Sequence, residues 1–201
     1  LTLLAPLNLN AGTLLGADRG TVRFEQGVTL NGGNLAISNS KLVIGNQFTK
    51  SGGMVNFTGT GLKLLTDLSL TSDTLLSFES LDLKQQKLTL TSAASGIELQ
   101  SQLRMDDPNE ALVSGDADLK LNQGFSIDEG LISSTSGTVS INASSSLTNN
   151  GTLSVSSGTL ELGGDFQKNG GSLSIGDSTF KLLSDLNWTS DSLLEVSALD
   201  L

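Results

Sequence analysis

The sequence predicts an all-β protein: a right-handed parallel β-helix, or β-solenoid, with three strands in each coil of about 20 residues and about ten coils. Three observations predict this fold. Apolar and polar residues alternate over short windows, the alternating pairs recur at a constant period, and similar corner residues follow them. We therefore expect residues 1–201 to form one continuous β-solenoid segment.

The strands are predicted from apolar pairs separated by one residue, such as Val22/Phe24 and Val28/Leu30. A first series of pairs begins at residues 1, 22, 42, 62, 81, 103, 119, 139, 160, 180 and 199. A second begins at 7, 28, 48, 68 and 88, and a third at 14, 35, 55, 75 and 97. So constant a period favours a solenoid over an antiparallel sandwich, because each coil of a solenoid must lie over the previous one.

The corners are predicted from glycine and asparagine clusters that follow the second strand, including Asn31-Gly32-Gly33 and Asn149-Asn150-Gly151. Both residue types tolerate the positive φ that a sharp corner needs. Each cluster falls at the same place on successive coils, which supports the three-strand coil.

The outward residues of the first series are predicted to form one column on the solenoid surface. The column contains Thr2, Arg23, Val43, Lys63, Asp82, Arg104, Lys120, Ser140, Glu161, Lys181 and Asp200. Opposite charges become neighbours at Lys63/Asp82/Arg104 and at Glu161/Lys181/Asp200. Exposed pairs of this kind contribute only about 0.2–1 kcal/mol, so we expect them to favour the correct register more than to add stability.

A much longer repeat is superposed on the coils. Residues 48–83 and 166–201 align at an offset of 118, and 17 of the 36 positions are identical. This indicates a tandem duplication, with a first long repeat of six coils over residues 1–118 and a partial second repeat over 119–201. Both ends are themselves predicted strands, so we expect the coil to continue, either in the same chain or in an end-to-end homopolymer.

The charge balance limits the partners. The 11 basic and 21 acidic residues give a net charge of −10, which disfavours nucleic acids and anionic membrane surfaces. No apolar run reaches the roughly 20 residues that span a bilayer, so we predict no membrane span in this segment.

The segment "GTVSINASSSLTNNGTLSVSSGTLELGGDF" resembles the β-helical passenger regions of bacterial autotransporters and of filamentous-haemagglutinin-like exoproteins. The resemblance implies a secreted chain at the cell surface or outside the cell. It also implies a structural or adhesive role in a long repetitive surface or fibre protein, with a surface glycan or a host protein as receptor.

Two alternative functions stay open: a carbohydrate-binding or carbohydrate-active β-helix, and a cytoplasmic polymerising β-helix of the bactofilin type. Catalysis would need clustered carboxylates beside a basic residue, but the chain has only three arginines and no histidine. The acidic pairs Asp67/Asp185 and Asp73/Asp191 recur with the long repeat, which suits corners better than an active site. We therefore predict no enzyme, no catalytic residue and no cofactor.

The segment "RMDDPNEALVSGDADL" breaks the pattern, because only 16 residues separate Leu103 from Leu119 and no middle strand is evident. Its oxygen ligands suit Ca²⁺, which makes it a weak calcium candidate. The candidate ligands are Asp106, Asp107, Asn109, Glu110, Asp116 and Asp118. Since their spacing matches neither an EF-hand loop nor a calcium-binding β-roll, the sequence favours an irregular solvated loop without a metal.

Three smaller features have structural interpretations. Sequons for N-glycosylation occur by composition at Asn56, Asn142, Asn150 and Asn187. Trp188 takes the place of Leu70 in the repeat, and we expect it to fill the core or the coil surface and not to serve as a sugar-stacking platform. Paired hydroxyls at Ser69/Thr71 and Thr89/Thr91 suggest an ice-binding array, which we expect to be interrupted by Lys50, Asp128 and Lys168.

Overall fold

The computed structural model describes residues 1–91, 96–185, 187–191 and 197–200. In chain order its strands are β1 (Thr2–Leu3), β2 (Leu7–Asn10), β3 (Leu14–Phe24), β4 (Val28–Asn31), β5 (Asn34–Ile44), β6 (Gln47–Lys50), β7 (Met54–Asn56), β8 (Gly61–Leu64), β9 (Leu68–Ser72), β10 (Leu75–Phe78), β11 (Ser80–Asp82), β12 (Lys87–Leu90), β13 (Gly96–Leu99), β14 (Leu103–Met105), β15 (Ala111–Gly115), β16 (Asp118–Leu121), β17 (Phe125–Ile127), β18 (Leu131–Ser134), β19 (Thr138–Ile141), β20 (Ser145–Val155), β21 (Thr159–Leu162), β22 (Phe166–Ile175), β23 (Thr179–Leu182), β24 (Trp188–Ser190) and β25 (Ala198–Asp200). The described residues form no helix, and therefore no helix that is long and apolar enough to span a bilayer.

The strands stack in parallel into a right-handed β-helix of triangular section, which confirms the predicted fold. Face 1 is formed by β1, residues 21–24 and 41–44, β8, β11, β14, β17, residues 145–147 and 166–168, and β24. Face 2 is formed by β2, β4, β6, β9, β12, β15, β18 and residues 152–155 and 172–175. Face 3 is formed by residues 14–17 and 34–37, β7, β10, β13, β16, β19, β21, β23 and β25.

The coil period is close to the predicted one. Register partners on face 2 lie 19 to 24 residues apart, from Gly115 opposite Ser134 to Lys87 opposite Ala111. If turns are counted from face 1, nine turns have a described strand on all three faces, and β24 and β25 lie on a tenth. Four long strands, β3, β5, β20 and β22, bend across a corner and contribute to two faces.

One assignment of strands to faces is wrong. The sequence placed Leu119, Val139, Leu160, Phe180 and Leu199 in the first series, but they lie on face 3, where Leu119 pairs with Ile97. Face 1 continues from Leu103 through Phe125 instead. The turn that begins at Leu103 is therefore not short: β15 is its middle strand, and it closes after 22 residues. Every face has the same apolar alternation. Spacing alone therefore could not decide whether Leu119 or Phe125 follows Leu103 on face 1.

The predicted charge column is consequently two columns. Lys63 lies beside Asp82 on face 1, and Glu161, Lys181 and Asp200 are successive neighbours on face 3, as expected. The Lys181 Nζ lies 3.7 Å from the Glu161 Oε1. Arg104, however, is opposite Ser126, and Lys120 is opposite Glu98, so neither joins the two charged groups.

The core is a set of mainly aliphatic ladders that also include all seven phenylalanines, five of them fully buried. The fully buried rings are those of Phe24, Phe48, Phe78, Phe125 and Phe166. Burial of apolar surface at about 25 cal/mol per Å², repeated in each turn, is the main stabilising contribution of such a fold.

Backbone pairing is continuous only on face 2. Among the described residues, β11 does not pair with β14 on face 1, and β7 does not pair with β10 on face 3. At the face 3 interruption the rings of Phe57 and Phe78 stack, with centroids 5.0 Å apart and planes inclined by 15°. Side-chain packing therefore continues the core where the backbone ladder is interrupted.

The long repeat does not correspond to a whole number of turns. Phe48 lies on face 2 of turn 3, whereas its equivalent Phe166 lies on face 1 of turn 9. Equivalent residues are thus separated by five and two-thirds turns, which is one face less than the expected six turns. The two copies are rotated by one face around the rod. Residues 192–196 and 201 of the second copy lie outside the described residues.

Candidate functional site

The acidic segment after β14 forms a self-satisfied corner. The Glu110 carboxylate is buried and accepts hydrogen bonds from the backbone N–H of Asp106 at 3.1 Å and of Gln85 at 3.4 Å. Asp107 accepts from the Asn109 backbone at 2.9 Å and from the Gln85 side chain at 2.7 Å. These bonds join the corners of two successive turns at the place where the face 1 ladder is interrupted.

The calcium candidates are not brought together as a ligand set. Asp116 accepts a hydrogen bond from the Ser136 hydroxyl, and Asp118 accepts one from the Thr138 backbone at 3.0 Å, both on the next turn. Within the part of the chain that the structure describes, no three acidic side chains lie close enough to hold a metal ion. The carboxylates of this segment that make hydrogen bonds serve as acceptors for neighbouring turns.

The two copies of the repeat share a buried lysine paired with a corner aspartate, which we call the clasp. Lys50 points into the core between Leu30 and Ser72, and Lys168 points inward in the same way between Leu147 and Ser190. The apolar stems are buried, and the ammonium groups reach the corner. There the Lys50 Nζ binds the Asp73 carboxylate, and the Lys168 Nζ binds Asp191 at 2.5 Å.

The clasp also orders the corner backbone. Asp191 accepts a second hydrogen bond from the Gly170 N–H at 2.8 Å. The hydrogen bond from Lys168, followed by the one from Gly170, lowers the pKa of Asp191 below its ordinary value of 3.8. Because the folded-state pKa is the lower one, this contribution to stability is present at neutral pH and is lost as the pH falls through that pKa.

The clasp predicts an asymmetric response to substitution. Asp73→Ala leaves a buried ammonium without this acceptor and is expected to cost about 1–3 kcal/mol. Lys50→Met keeps the apolar stem and leaves Asp73 half-exposed to water, so we expect a change within about 1 kcal/mol. Urea unfolding measures both, with Lys63→Met and Asp82→Ala as controls, since these two half-exposed side chains are neighbours on the outside of face 1. If Asp73→Ala were as mild as Asp82→Ala, the clasp would not be stabilising.

The hydroxyl array is less interrupted than the sequence suggested. Thr29, Thr49 and Thr71 are successive neighbours on face 2, and the Thr71 Oγ1 lies 2.5 Å from the Thr91 Oγ1. Lys50 points into the core, whereas Asp128 and Lys168 follow or end face 1 strands, so none of them interrupts this column. The adjacent column passes through Gln47, Ser69, Thr89 and Val113, so the array is one threonine wide.

The sequon asparagines are all exposed, and the side chains of three of them, Asn56, Asn142 and Asn187, take part in corner hydrogen bonds. The Asn56 Oδ1 accepts from the Thr58 backbone at 3.0 Å, and the Asn142 Nδ2 donates to Asn122 at 3.0 Å. The recurrent Asp67 likewise accepts from the Lys87 backbone at 2.8 Å. These contacts suit the structural interpretation of the polar corner residues.

A groove of about 420 Å³ runs across the edge of face 1 from turn 6 to turn 10. Its polar lining consists of exposed side chains: Gln102, Ser144, Asp165, Gln167, Asn187 and Thr189. Below them Phe166 stacks on Trp188 at 4.7 Å, and Phe125 meets Phe166 edge-on at 6.0 Å. Trp188 thus packs against the core, as predicted, and gives the groove a rigid floor.

One position in the column of residues beside the groove is a glycine. Gly124 lies between Gln102 and Ser144 at the start of successive face 1 strands. It has a φ of +67°, and a Cβ there would meet the backbone of Ala143 and Ser144 at 2.8 Å or less. Only glycine fits this position, so the column has a gap between longer side chains.

Half of the polar side chains of the groove face solvent without a protein partner. The side chains of Gln102, Ser144, Gln167 and Thr189 make no hydrogen bond within the described part of the chain. The other four are bonded: Asp165 accepts from the Asn187 backbone at 2.8 Å and from the Asn187 side chain at 3.4 Å, and Ser145 and Ser146 bond to the preceding turn. The groove therefore presents amides, hydroxyls and one positioned carboxylate, and no cation.

Sequence reasoning missed this groove. Its residues lie about 20 residues apart and belong to no motif, so only the stacked register brings them together. One signal was present, because at groove positions the two copies differ: Gln47 corresponds to Asp165, Thr49 to Gln167 and Ser69 to Asn187.

Other concavities on the described surface have different chemistry. A cavity of about 400 Å³ on face 1 is lined by charged groups that include Lys41, Lys63, Glu79 and Asp82. Another of about 370 Å³ lies at the face 3 interruption, beside Val55 and Leu75. The Phe57 and Phe78 side chains close the space beneath it.

Comparison with known proteins gives no relative from which a function could be transferred. No protein-family model, no curated protein and no solved structure matches this chain.

Proposed function

We propose that this chain is a structural and adhesive β-solenoid segment of a long, repetitive bacterial protein at the cell surface or in an extracellular fibre. One observation carries the proposal: the features shared by the two copies of the long repeat are mostly those that hold the rod together. They are ladder residues such as Phe48/Phe166, corner glycines such as Gly53/Gly171, and the clasp.

The surface between these features differs from one copy to the other. A scaffold of fixed core and variable exterior is typical of repeat proteins that present extended binding surfaces. The resemblance of residues 137–166 to exported β-helical passengers supports the surface location. The rotation of the copies by one face adds that surfaces of successive blocks point in different directions, which suits a rod contacted from several sides.

The location can be tested on intact cells of the source bacterium. Antibodies raised against residues 1–201 are expected to label non-permeabilised cells or shed fibres, and added protease should remove the signal. A signal confined to permeabilised cells and the cytosolic fraction would contradict the proposal and favour the polymerising cytoplasmic alternative. A cytosolic protein of known location is the control for cell integrity.

A further inference from the structure

We propose that the groove on face 1 of turns 6–10 binds a neutral, linear oligosaccharide. The first argument is size and shape. About 420 Å³ lies within the range of roughly 300–1,000 Å³ that ligand sites occupy. The lining extends from Gln102 on turn 6 to Asn187 on turn 10, about 19 Å at 4.8 Å per strand spacing. A groove of this length suits a chain of linked units better than a single small molecule.

The second argument is chemical. Amide and hydroxyl side chains both donate and accept hydrogen bonds, as sugar hydroxyls do. The Asp165 carboxylate is held in place by the backbone and side-chain N–H groups of Asn187, and each of its two oxygens keeps a further acceptor site for a hydroxyl group. No lysine or arginine lines the groove, and the chain carries a net charge of −10, so an anionic glycan or a nucleic acid would be repelled.

The third argument comes from the internal duplication, which provides a comparison within the chain. The framework around the groove is retained in the first copy, where Phe48, Lys50 and Asp73 correspond to Phe166, Lys168 and Asp191. In that copy the Gln47 side chain donates to the Thr49 hydroxyl at 3.0 Å, so these polar groups satisfy one another.

In the second copy the same positions carry Asp165 and Gln167, and Leu70 is replaced by Trp188. The Gln167 amide has no partner within the described residues, and Trp188 supports the floor from below. The change is thus from a self-satisfied surface to one with free hydrogen-bonding groups on a rigid base, within an otherwise retained framework. Such a change is expected where a surface has acquired a ligand.

In the proposed surface rod the groove would be one adhesive site, and this biological role rests on the proposed function. The binding itself is independent of location, because it is measured with purified protein. Failure of cell-surface labelling and failure of sugar binding are therefore separate outcomes.

The experiment is isothermal titration of residues 1–201 with neutral hexasaccharides: linear β-1,4-glucose, β-1,3-glucose, α-1,4-glucose, β-1,4-mannose and β-1,4-N-acetylglucosamine. An α-1,4-galacturonate hexamer of the same length serves as the anionic control. We expect at least one neutral probe to bind with a Kd of about 1 mM or tighter, and the anionic hexamer to bind at least 10-fold more weakly.

The matched variant replaces groove residues by those of the first copy: Asp165→Gln, Gln167→Thr and Asn187→Ser. Because this framework already carries those side chains in the first copy, we expect a fold like the parent's and a loss of affinity of 10-fold or more. The control variant Thr152→Ser, Ser154→Thr and Ser174→Thr changes face 2 outside the groove and should bind like the parent. If the triple variant unfolded, Gln167→Thr alone, an exposed change, should still weaken binding about threefold.

Three results would overturn the inference. They are the absence of binding to every neutral hexamer, equal or tighter binding of the galacturonate hexamer, and unchanged affinity in the folded groove variants. The last result would place the sugar elsewhere on the rod.

Discussion

Replacing Leu119 by aspartate is expected to unfold the middle of the rod. Leu119 is fully buried on face 3, in a ladder between Ile97 and Val139. An ionised carboxylate at this position would lose its hydration without gaining a cation, so it must either become protonated or destabilise the fold by several kcal/mol. We expect a loss of about 4–5 kcal/mol or more, which few single substitutions reach.

The effect should be local along the rod axis. In a solenoid each turn contacts only its neighbours, so the stability of a turn is coupled mainly to the turns on either side. Hydrogen exchange is expected to show lost protection in β13, β16 and β19, whereas β4 and β6 stay protected. The control is Val113→Asp, the same kind of change on the same turn but at an outward position of face 2. Equal effects of the two substitutions would contradict the assignment of Leu119 to the core.

Much of the fold is predictable because the same apolar alternation and the same kinds of corner residue recur in every turn. Alternation at Val28/Leu30 or Leu68/Leu70 specifies strands with one buried side. The clusters at Gly32 and Gly53 specify corners, and both glycines adopt positive φ. These signals are local, and they predicted the strands and the three-strand coil.

The assignment of strands to faces was not predictable from the same signals. Leu103 is followed by apolar pairs 16 and 22 residues later, at Leu119 and Phe125, and both have the alternation of a face strand. The corner after β14 decides which pair continues face 1, because there the buried Glu110 accepts hydrogen bonds from backbone groups of two turns. Such a tertiary contact leaves no periodic trace, and for that reason the long repeat was counted as six whole turns.

One misjudged polar residue and the missed groove show the same limit. Lys50 was counted as an outward residue because it is charged, yet its stem is long and apolar enough to lie in the core while the ammonium reaches Asp73. The groove is lined by residues from successive coils that lie about 20 positions apart in the sequence. Sequence patterns describe which side chains alternate, but not which concavities their stacking creates.

Gly53→Ala is expected to be the most damaging of the corner substitutions, although it adds one methyl group. Gly53 has a φ of +76°, and a Cβ would overlap the carbonyl oxygen of Gly33 on the preceding turn. That oxygen belongs to backbone, which can move only if two stacked corners separate. We therefore expect a loss of about 2–5 kcal/mol, the combined effect of left-handed backbone strain and overpacking.

The chain offers a control that isolates the contact between turns. Gly12 has a similar φ of +84°, but a Cβ there would meet no atom within 4 Å, so Gly12→Ala should cost only the about 1–2 kcal/mol of left-handed strain. Gly171→Ala, at the equivalent corner of the second copy, should resemble Gly53→Ala because its Cβ would meet the Gly151 carbonyl. Urea midpoints of the three variants measure the difference. Equal losses at Gly53 and Gly12 would mean that the corners relax independently, and that close stacking of backbone, turn on turn, does not hold the rod in register.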